Sequence, residues 1–288
     1  MLWFPLALLS AFSQATTDAL TKKALGRTDY FMVAWLRNIL AVPFLLVALL
    51  FVPIPHPDST FYVAVAAALP LEVIATLLYT RALEISPLSL TMPFLALTPV
   101  YLLFTSFVLL GEVPSTAGAV GVCLLGSGAY LLNAHTVRGG GIFAPFKAIY
   151  REKGSMMMMA VAAIFAFTSD LSKVAIMHSS PLFFSAFYLV AFSVIFTPIS
   201  LYLTKTKLSA VRSRMPIFIM IGAALAATSI SQNIGMQLTQ VSYMIAVKRT
   251  SLLFSIGFGY FMFRERNISV RFLGGAVMLA GLVVMAIF

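Results

Sequence analysis

The segment L-L-G-E-V-P-S-T-A-G-A-V-G-V-C-L-L-G-S-G (109–128) returns, 153 residues later, as M-F-R-E-R-N-I-S-V-R-F-L-G-G-A-V-M-L-A-G (262–281). In a single register Glu112, Gly121 and Gly128 meet Glu265, Gly274 and Gly281. Each triad follows one apolar span and runs into another. Earlier in the two halves, T-T-D-A-L-T-K (16–22) has a looser echo in T-S-D-L-S-K (168–173). Two copies of one apolar bundle are the sequence pattern of a membrane transporter, whose site lies between the copies.

The solvent for such a chain has to be lipid. The hydrophobic fraction is 61%, and only 10% of residues are charged, a balance that would precipitate from water. A helix needs roughly 20 apolar residues to cross a bilayer. Ten spans follow, approximately 3–21, 31–52, 61–80, 89–110, 116–134, 156–172, 183–203, 216–236, 243–263 and 271–288. Their long unbroken runs satisfy backbone groups as helices, because barrel strands would alternate. The expected fold is therefore an all-α integral membrane protein. It has a first five-helix repeat at 1–134, a linker at 135–155 and a second five-helix repeat at 156–288. An odd number of spans per repeat inserts the second copy upside down, the arrangement behind alternating access. Pro70, and Pro87, Pro93 and Pro99 around the fourth span, predict kinks.

Charge placement sets an orientation and excludes nucleic acid as the partner. Of the 19 Lys and Arg residues, all but Arg37, Lys173, Lys248 and Arg249 fall in odd-numbered connections. Positive-inside logic makes those connections cytoplasmic and puts both termini outside. The linker H-T-V-R-G-G-G-I-F-A-P-F-K-A-I-Y-R-E-K-G-S (135–155) is basic and aromatic in its second half, fit to lie on the cytoplasmic leaflet. The first span lacks a basic start, and its echo is internal, so it is expected to stay on the chain. The one cysteine, Cys123, excludes an internal disulfide. The expected setting is the cytoplasmic membrane of a prokaryote, with the protein a monomer or weak homodimer.

Polar residues at helical spacing mark faces turned from lipid. The first span has Ser10, Ser13, Gln14, Thr17, Asp18 and Thr21, and the third has Glu72, Thr76, Tyr79 and Thr80. The fourth has Thr91, Thr98, Tyr101 and Thr105, the eighth Ser229, Gln232, Asn233 and Gln237, and the ninth Lys248, Ser251 and Ser255. Any one stripe is explained by interhelical hydrogen bonds. Five together point to a hydrated cavity. A charge at bilayer depth costs at least about 2.5–3.5 kcal/mol, so it has a partner or a task. Glu72 is mid-span and is the proton-coupling candidate. Lys248 and Arg249 place a point charge beside a planar fork, which suits phosphate or carboxylate. Arg37 is expected in an internal ion pair. Asp18 with Lys22, and Asp170 with Lys173, have the spacing of structural ion pairs within a helix. Glu112 and Glu265, at span ends, read as caps or loop anchors.

The run L-Y-T-R-A-L-E-I-S-P-L-S-L-T-M-P-F-L-A-L-T-P-V-Y (78–101), then L-L-G-E (109–112), resembles the core signature of the EamA family of the drug/metabolite transporter superfamily. W-L-R-N-I-L-A (35–41) is similar to that family's second-span arginine pattern. The resemblance covers essentially the whole chain and implies ten spans, inverted repeats and secondary transport. A-V-K-R-T-S (246–251) resembles the Lys-Arg pair of more distant members that carry triose phosphates and nucleotide sugars, where the pair holds substrate phosphate. Carried over, Lys248 and Arg249 become anion-binding residues. The fourth span here has no lysine, unlike the phosphate translocators.

The leading expectation is a secondary transporter for a small organic anion. The site residues are Lys248, Arg249, Ser251, Ser255, Gln14, Thr17, Asp18, Tyr79, Tyr101, Gln232 and Asn233, with protons as a possible second cargo. A flippase for a lipid-linked phosphate or sugar is one alternative. An exporter of amino acids or amines, using Asp18, Glu72 and Asp170, is another. An enzyme is disfavoured, since no His/Asp/Glu cluster has metal spacing, and no cofactor is expected.

Overall fold

A computed structural model describes residues 2–25, 28–86, 92–134, 153–206, 211–263 and 272–287. Among them there is helix and no strand. The first half comprises α1 (Trp3–Leu25), α2 (Tyr30–Ile39), α3 (Val42–Leu49), α4 (Ser59–Ile85), a 3₁₀ segment (Met92–Leu97), α5 (Thr98–Leu110) and α6 (Thr116–Ala134). The second comprises α7 (Lys153–Met177), α8 (Pro181–Leu203), a 3₁₀ turn (Arg212–Arg214), α9 (Met215–Leu238), α10 (Val241–Lys248), α11 (Ser251–Phe263) and α12 (Phe272–Ile287). Most of the 135–155 linker, together with Glu265, Pro87 and Thr91, lies outside the described residues.

Among the described residues, five stretches are long and apolar enough to cross a membrane: Tyr30–Leu49, Ser59–Ile85, Lys153–Met177, Pro181–Leu203 and Arg212–Leu238. Thr98–Leu110, Thr116–Gly128 and Leu273–Val284 are shorter apolar helices. The outward faces carry Phe51, Phe104, Val194 and Tyr202, each more than two-thirds exposed, a belt that water would not tolerate but lipid does.

Three of the expected spans are interrupted: the second and ninth, expected to be unbroken, and the fourth, where the prolines predict it. The second divides into α2 and α3 at Leu40–Ala41, ahead of Pro43. The fourth begins as a 3₁₀ segment and becomes α-helical at Thr98, with Pro99 in its first turn, where its missing N–H costs nothing. The ninth breaks after Lys248, and α11 starts at Ser251, 153 residues beyond Thr98. Pro70, by contrast, stays inside a continuous α4.

The two halves exchange equivalent helices. α1 packs on α9 while α7 packs on α4, and α1 meets α11 as α7 meets α5. Ala7, Ala11, Ala15 and Ala19, all buried, recur every four residues along α1, where small side chains let helices come close. α2 lies against α8. Asp29 caps α2, its carboxylate accepting from the N–H groups of Phe31 and Met32 at 3.1 Å each. The same carboxylate accepts from the Thr204 hydroxyl at 2.7 Å and the Thr206 N–H at 3.0 Å, tying the start of α2 to the end of α8. Partial burial works to raise the Asp29 pKa, but these donors outweigh it and hold the carboxyl below its ordinary value.

The repeat-defining glycines form the contact between α6 and α12. A Cβ on Gly128 would sit 2.6 Å from the Met278 nitrogen and 2.7 Å from the Gly274 oxygen. A Cβ on Gly281 would sit 2.8 Å from the Gly121 oxygen. Backbone meets backbone here, and moving the nearby Met278 side chain would not relieve it. Gly128→Leu is expected to lower stability by about 1–3 kcal/mol, the usual cost of overpacking. Gly281→Leu should do the same, and thermal melting of each variant in detergent checks this.

Candidate functional site

A cavity of about 180 Å³ opens where the broken helices meet. Gln14 (α1), Arg37 and Asn38 (α2), Glu72, Thr76 and Tyr79 (α4), Ser229, Gln232 and Asn233 (α9) and Lys248 and Arg249 line its polar side. Leu95, Phe165, Phe184, Leu189, Phe192, Leu225 and Ile245 form its apolar lining, with Tyr188 among them, and Thr168, Ser169 and Ser172 (α7) and Thr228 (α9) add hydroxyls. At roughly 10–15 Å³ per water-sized occupant, the space suits a dozen or so non-hydrogen atoms.

Pairs of positions related by the repeat face this one space with different chemistry. At the 153-residue offset Glu72 answers Leu225, Thr76 answers Ser229, Tyr79 answers Gln232, and Lys248 answers Leu95. All eight residues line the cavity. Twofold repetition therefore supplies the shape, and the divergent side chains supply polarity.

The break in the ninth span delivers the cations. After Ala246 the backbone tightens, with Thr250 N–H bonded to the Val247 oxygen at 3.0 Å and Leu253 N–H to the Thr250 oxygen at 2.9 Å. Lys248 is the last residue of α10 and Arg249 its C-cap. The Lys248 ammonium donates to the Gln232 amide oxygen. Arg249 Nη2 donates to the Thr98 hydroxyl at 2.9 Å, at the matching break of the other half. The Arg37 guanidinium lies 5.4 Å over the ring of Tyr79, a cation–π contact. Glu72 shares the cavity wall with Thr168, Lys248 and Arg37.

Neither Asp18 with Lys22 nor Asp170 with Lys173 forms an ion pair within 4.0 Å among the described residues. Asp18 instead accepts from the Tyr79 hydroxyl at 2.6 Å and the Gln14 amide at 2.8 Å. Lys22 points to the end of α4, donating to the carbonyls of Leu83 and Ser86. Asp170 accepts from Ser106 at 2.6 Å. Lys173 repeats the role of Lys22 on α9, donating to the carbonyls of Met236 and Thr239, and its ammonium lies 3.8 Å from Glu112. The physical reason is common to both lysines. A helix C-terminus in lipid leaves carbonyls without partners, and a lysine from a neighbouring helix satisfies them. Arg37 has no carboxylate within 4.0 Å among the described residues, so its expected ion pair is absent too. Glu112 acts as a cap from outside, its carboxylate accepting from Val241 N–H at 2.9 Å at the start of α10. Gly111, left-handed at φ 67°, ends α5 and sets that carboxylate in place.

Of the residues expected in the site, Gln14, Tyr79, Gln232, Asn233, Lys248, Arg249 and Glu72 line the cavity. Asp18 stands directly behind Gln14 and Tyr79. Thr17 is buried and donates to the Ser13 carbonyl at 2.9 Å, and Ser251 is buried beside the helix break. Tyr101 and Ser255 are half-buried, and neither is among the lining residues. The α8 wall of Phe184, Tyr188 and Phe192 was not legible as a site. Its residues recur every four positions, but an aromatic stripe in an apolar span looks the same whether it faces lipid, core or ligand. Among the described residues no cluster of His, Cys, Asp and Glu could hold a metal ion.

The fold is shared with solved structures. One crystal structure of a protein matches with a TM-score of 0.76 at 16% identity, over 97% of this chain and 96% of that one. No curated protein matches the chain. The model of the EamA-like transporter family matches residues 1–134 and again 152–287. Members of that family are transporters of the drug/metabolite superfamily, integral to the membrane and acting on small molecules. With nearly its whole length accounted for by the two matches, the chain belongs to the EamA-like transporter family.

Proposed function

We propose that this transporter moves a small organic anion across the cytoplasmic membrane of a prokaryote by alternating access. The proposal includes ten spans in two inverted five-helix domains, 1–134 and 156–288, joined by a cytoplasmic linker at 135–155. The observation that carries it is the charge of the cavity. Arg37, Lys248 and Arg249 line it, against Glu72 on its wall and Asp18 just behind. By formal charge three cations meet two carboxylates, leaving one positive charge for a ligand to neutralise. The break that exposes Lys248 and Arg249 supports the same reading, since interrupted helices frame the sites of many secondary transporters.

A thermal-shift screen of the purified protein against sugar phosphates, carboxylates, amino acids and amines tests this. A ligand at 100 times its Kd stabilises by about 2.7 kcal/mol. Stabilisation by anions is the expected result, and stabilisation by amines alone would overturn the proposal.

Orientation has its own test. Lys147→Cys and Arg212→Cys, each in a Cys123→Ser background, should resist an impermeant thiol reagent in intact cells. Ready labelling at both would place the linker outside and reverse the topology.

A further inference from the structure

Arg37 differs from every other cation of the cavity in what holds it. Lys248 is engaged by Gln232 and Arg249 by Thr98. Arg37 is 9% exposed, and among the described residues its guanidinium donates no hydrogen bond. The face of Tyr79 supports it on one side. A buried guanidinium with an open planar fork is costly unless an acceptor arrives. The acceptor that matches the fork is a carboxylate, taken through two parallel bonds.

The same position in the other half is aromatic. Arg37 stands eight residues after the N-cap Asp29, and Tyr188 stands eight after the N-cap Ser180. Both line the cavity, and their helices pack together. Phe184, Tyr188 and Phe192 follow one face of α8, with the Phe184 and Tyr188 rings 5.1 Å apart. The Tyr188 hydroxyl is buried without a hydrogen-bond partner among the described residues. The cavity thus pairs a cation that has no hydrogen-bond acceptor among the described residues with an aromatic wall. Its formal charge of one positive unit suits a monoanion, whereas a phosphate dianion would leave it negative. Its volume suits a ring carrying a short acid chain.

We propose that Arg37 receives the carboxylate of the transported molecule and that the Phe184–Tyr188–Phe192 stripe takes an aromatic body attached to it. The substrate class is then a small aromatic monocarboxylate. This rests on the anion reading above and narrows it.

The test is equilibrium binding of four probes to the purified full chain: 3-phenylpropionate, hexanoate, glucose 6-phosphate and 2-phenylethylamine. 3-Phenylpropionate should bind tightest, ahead of hexanoate by roughly 2- to 12-fold, the range of one aromatic contact. Arg37→Gln should weaken it roughly 10- to 150-fold, as expected for a lost charge-assisted bond, and Arg37→Lys should recover part of that loss. Phe192→Ala should weaken 3-phenylpropionate more than hexanoate, so that the preference for the ring is lost. The melting temperature of each unliganded variant separates misfolding from lost recognition, and Phe192→Ala keeps the test open if Arg37→Gln does not fold. Full 3-phenylpropionate affinity in a folded Arg37→Gln variant would overturn the role of Arg37. Binding of glucose 6-phosphate or hexanoate in preference to 3-phenylpropionate would overturn the aromatic class while leaving the anion reading intact. Binding of 2-phenylethylamine alone, or of none of the four, would overturn both.

Discussion

A Glu72→Gln variant in proteoliposomes is expected to lose proton-driven accumulation of an anionic substrate entirely while exchange of that substrate persists. The reason is electrostatic linkage. Glu72 lines the cavity together with Lys248 and Arg37, and no ion pair within 4.0 Å locks it among the described residues. Other ionisable groups around this space are Asp18 and Tyr79 toward α1 and α4, Tyr188 on α8, and Arg249. Protonating Glu72 raises the formal charge of the cavity from one positive unit to two, so proton and anion favour each other's binding. Such coupling is reciprocal: whatever factor the proton adds to anion affinity, the anion adds to proton affinity. In the parent protein, apparent anion affinity should therefore rise as pH falls. Gln keeps the size of the side chain and remains neutral at every pH. It should preserve affinity, flatten its pH dependence and leave no site to carry a proton down its gradient. Concentrative uptake that survives in the variant would make Glu72 a structural residue.

Lys248→Met should weaken anion binding about tenfold or more, with little change in melting temperature. Met keeps the length and apolar stem of the lysine and removes its charge at the end of α10. The ammonium spends one donor on Gln232, which leaves two for a ligand. A charge-assisted bond contributes about 1.5–3 kcal/mol. Arg249→Lys should act differently. It retains charge, but it loses the planar fork that reaches Thr98 across the two helix breaks, so its cost should fall partly on stability. Titration of one anion against both variants, with melting curves alongside, separates the two effects. Unchanged affinity in both would remove the pair from the site.

Hydropathy and repetition alone determined that this chain is helical, membrane-bound and built from two copies of one bundle. They could do so because lipid forces every backbone group into local hydrogen bonds, so each span is written in consecutive residues. The stripes holding Gln14, Glu72, Tyr79, Gln232 and Lys248 were legible for the same reason. A polar side chain in a span has to turn from lipid, wherever the other helices lie.

Partner choice was not legible, because it depends on which helix end comes near. Lys22 and Lys173 sit at ion-pair spacing from Asp18 and Asp170. Tertiary packing instead brings them to the open carbonyls of α4 and α9, where satisfying a helix C-terminus outweighs a pair along one helix. The interruption at Lys248–Arg249 and the aromatic wall of α8 were decided at the same level. Nothing in the spacing of Phe184, Tyr188 and Phe192 says which surface they face. Only the packing of α8 against α2 puts them in one cavity with Arg37, whose Nε is buried without an acceptor among the described residues.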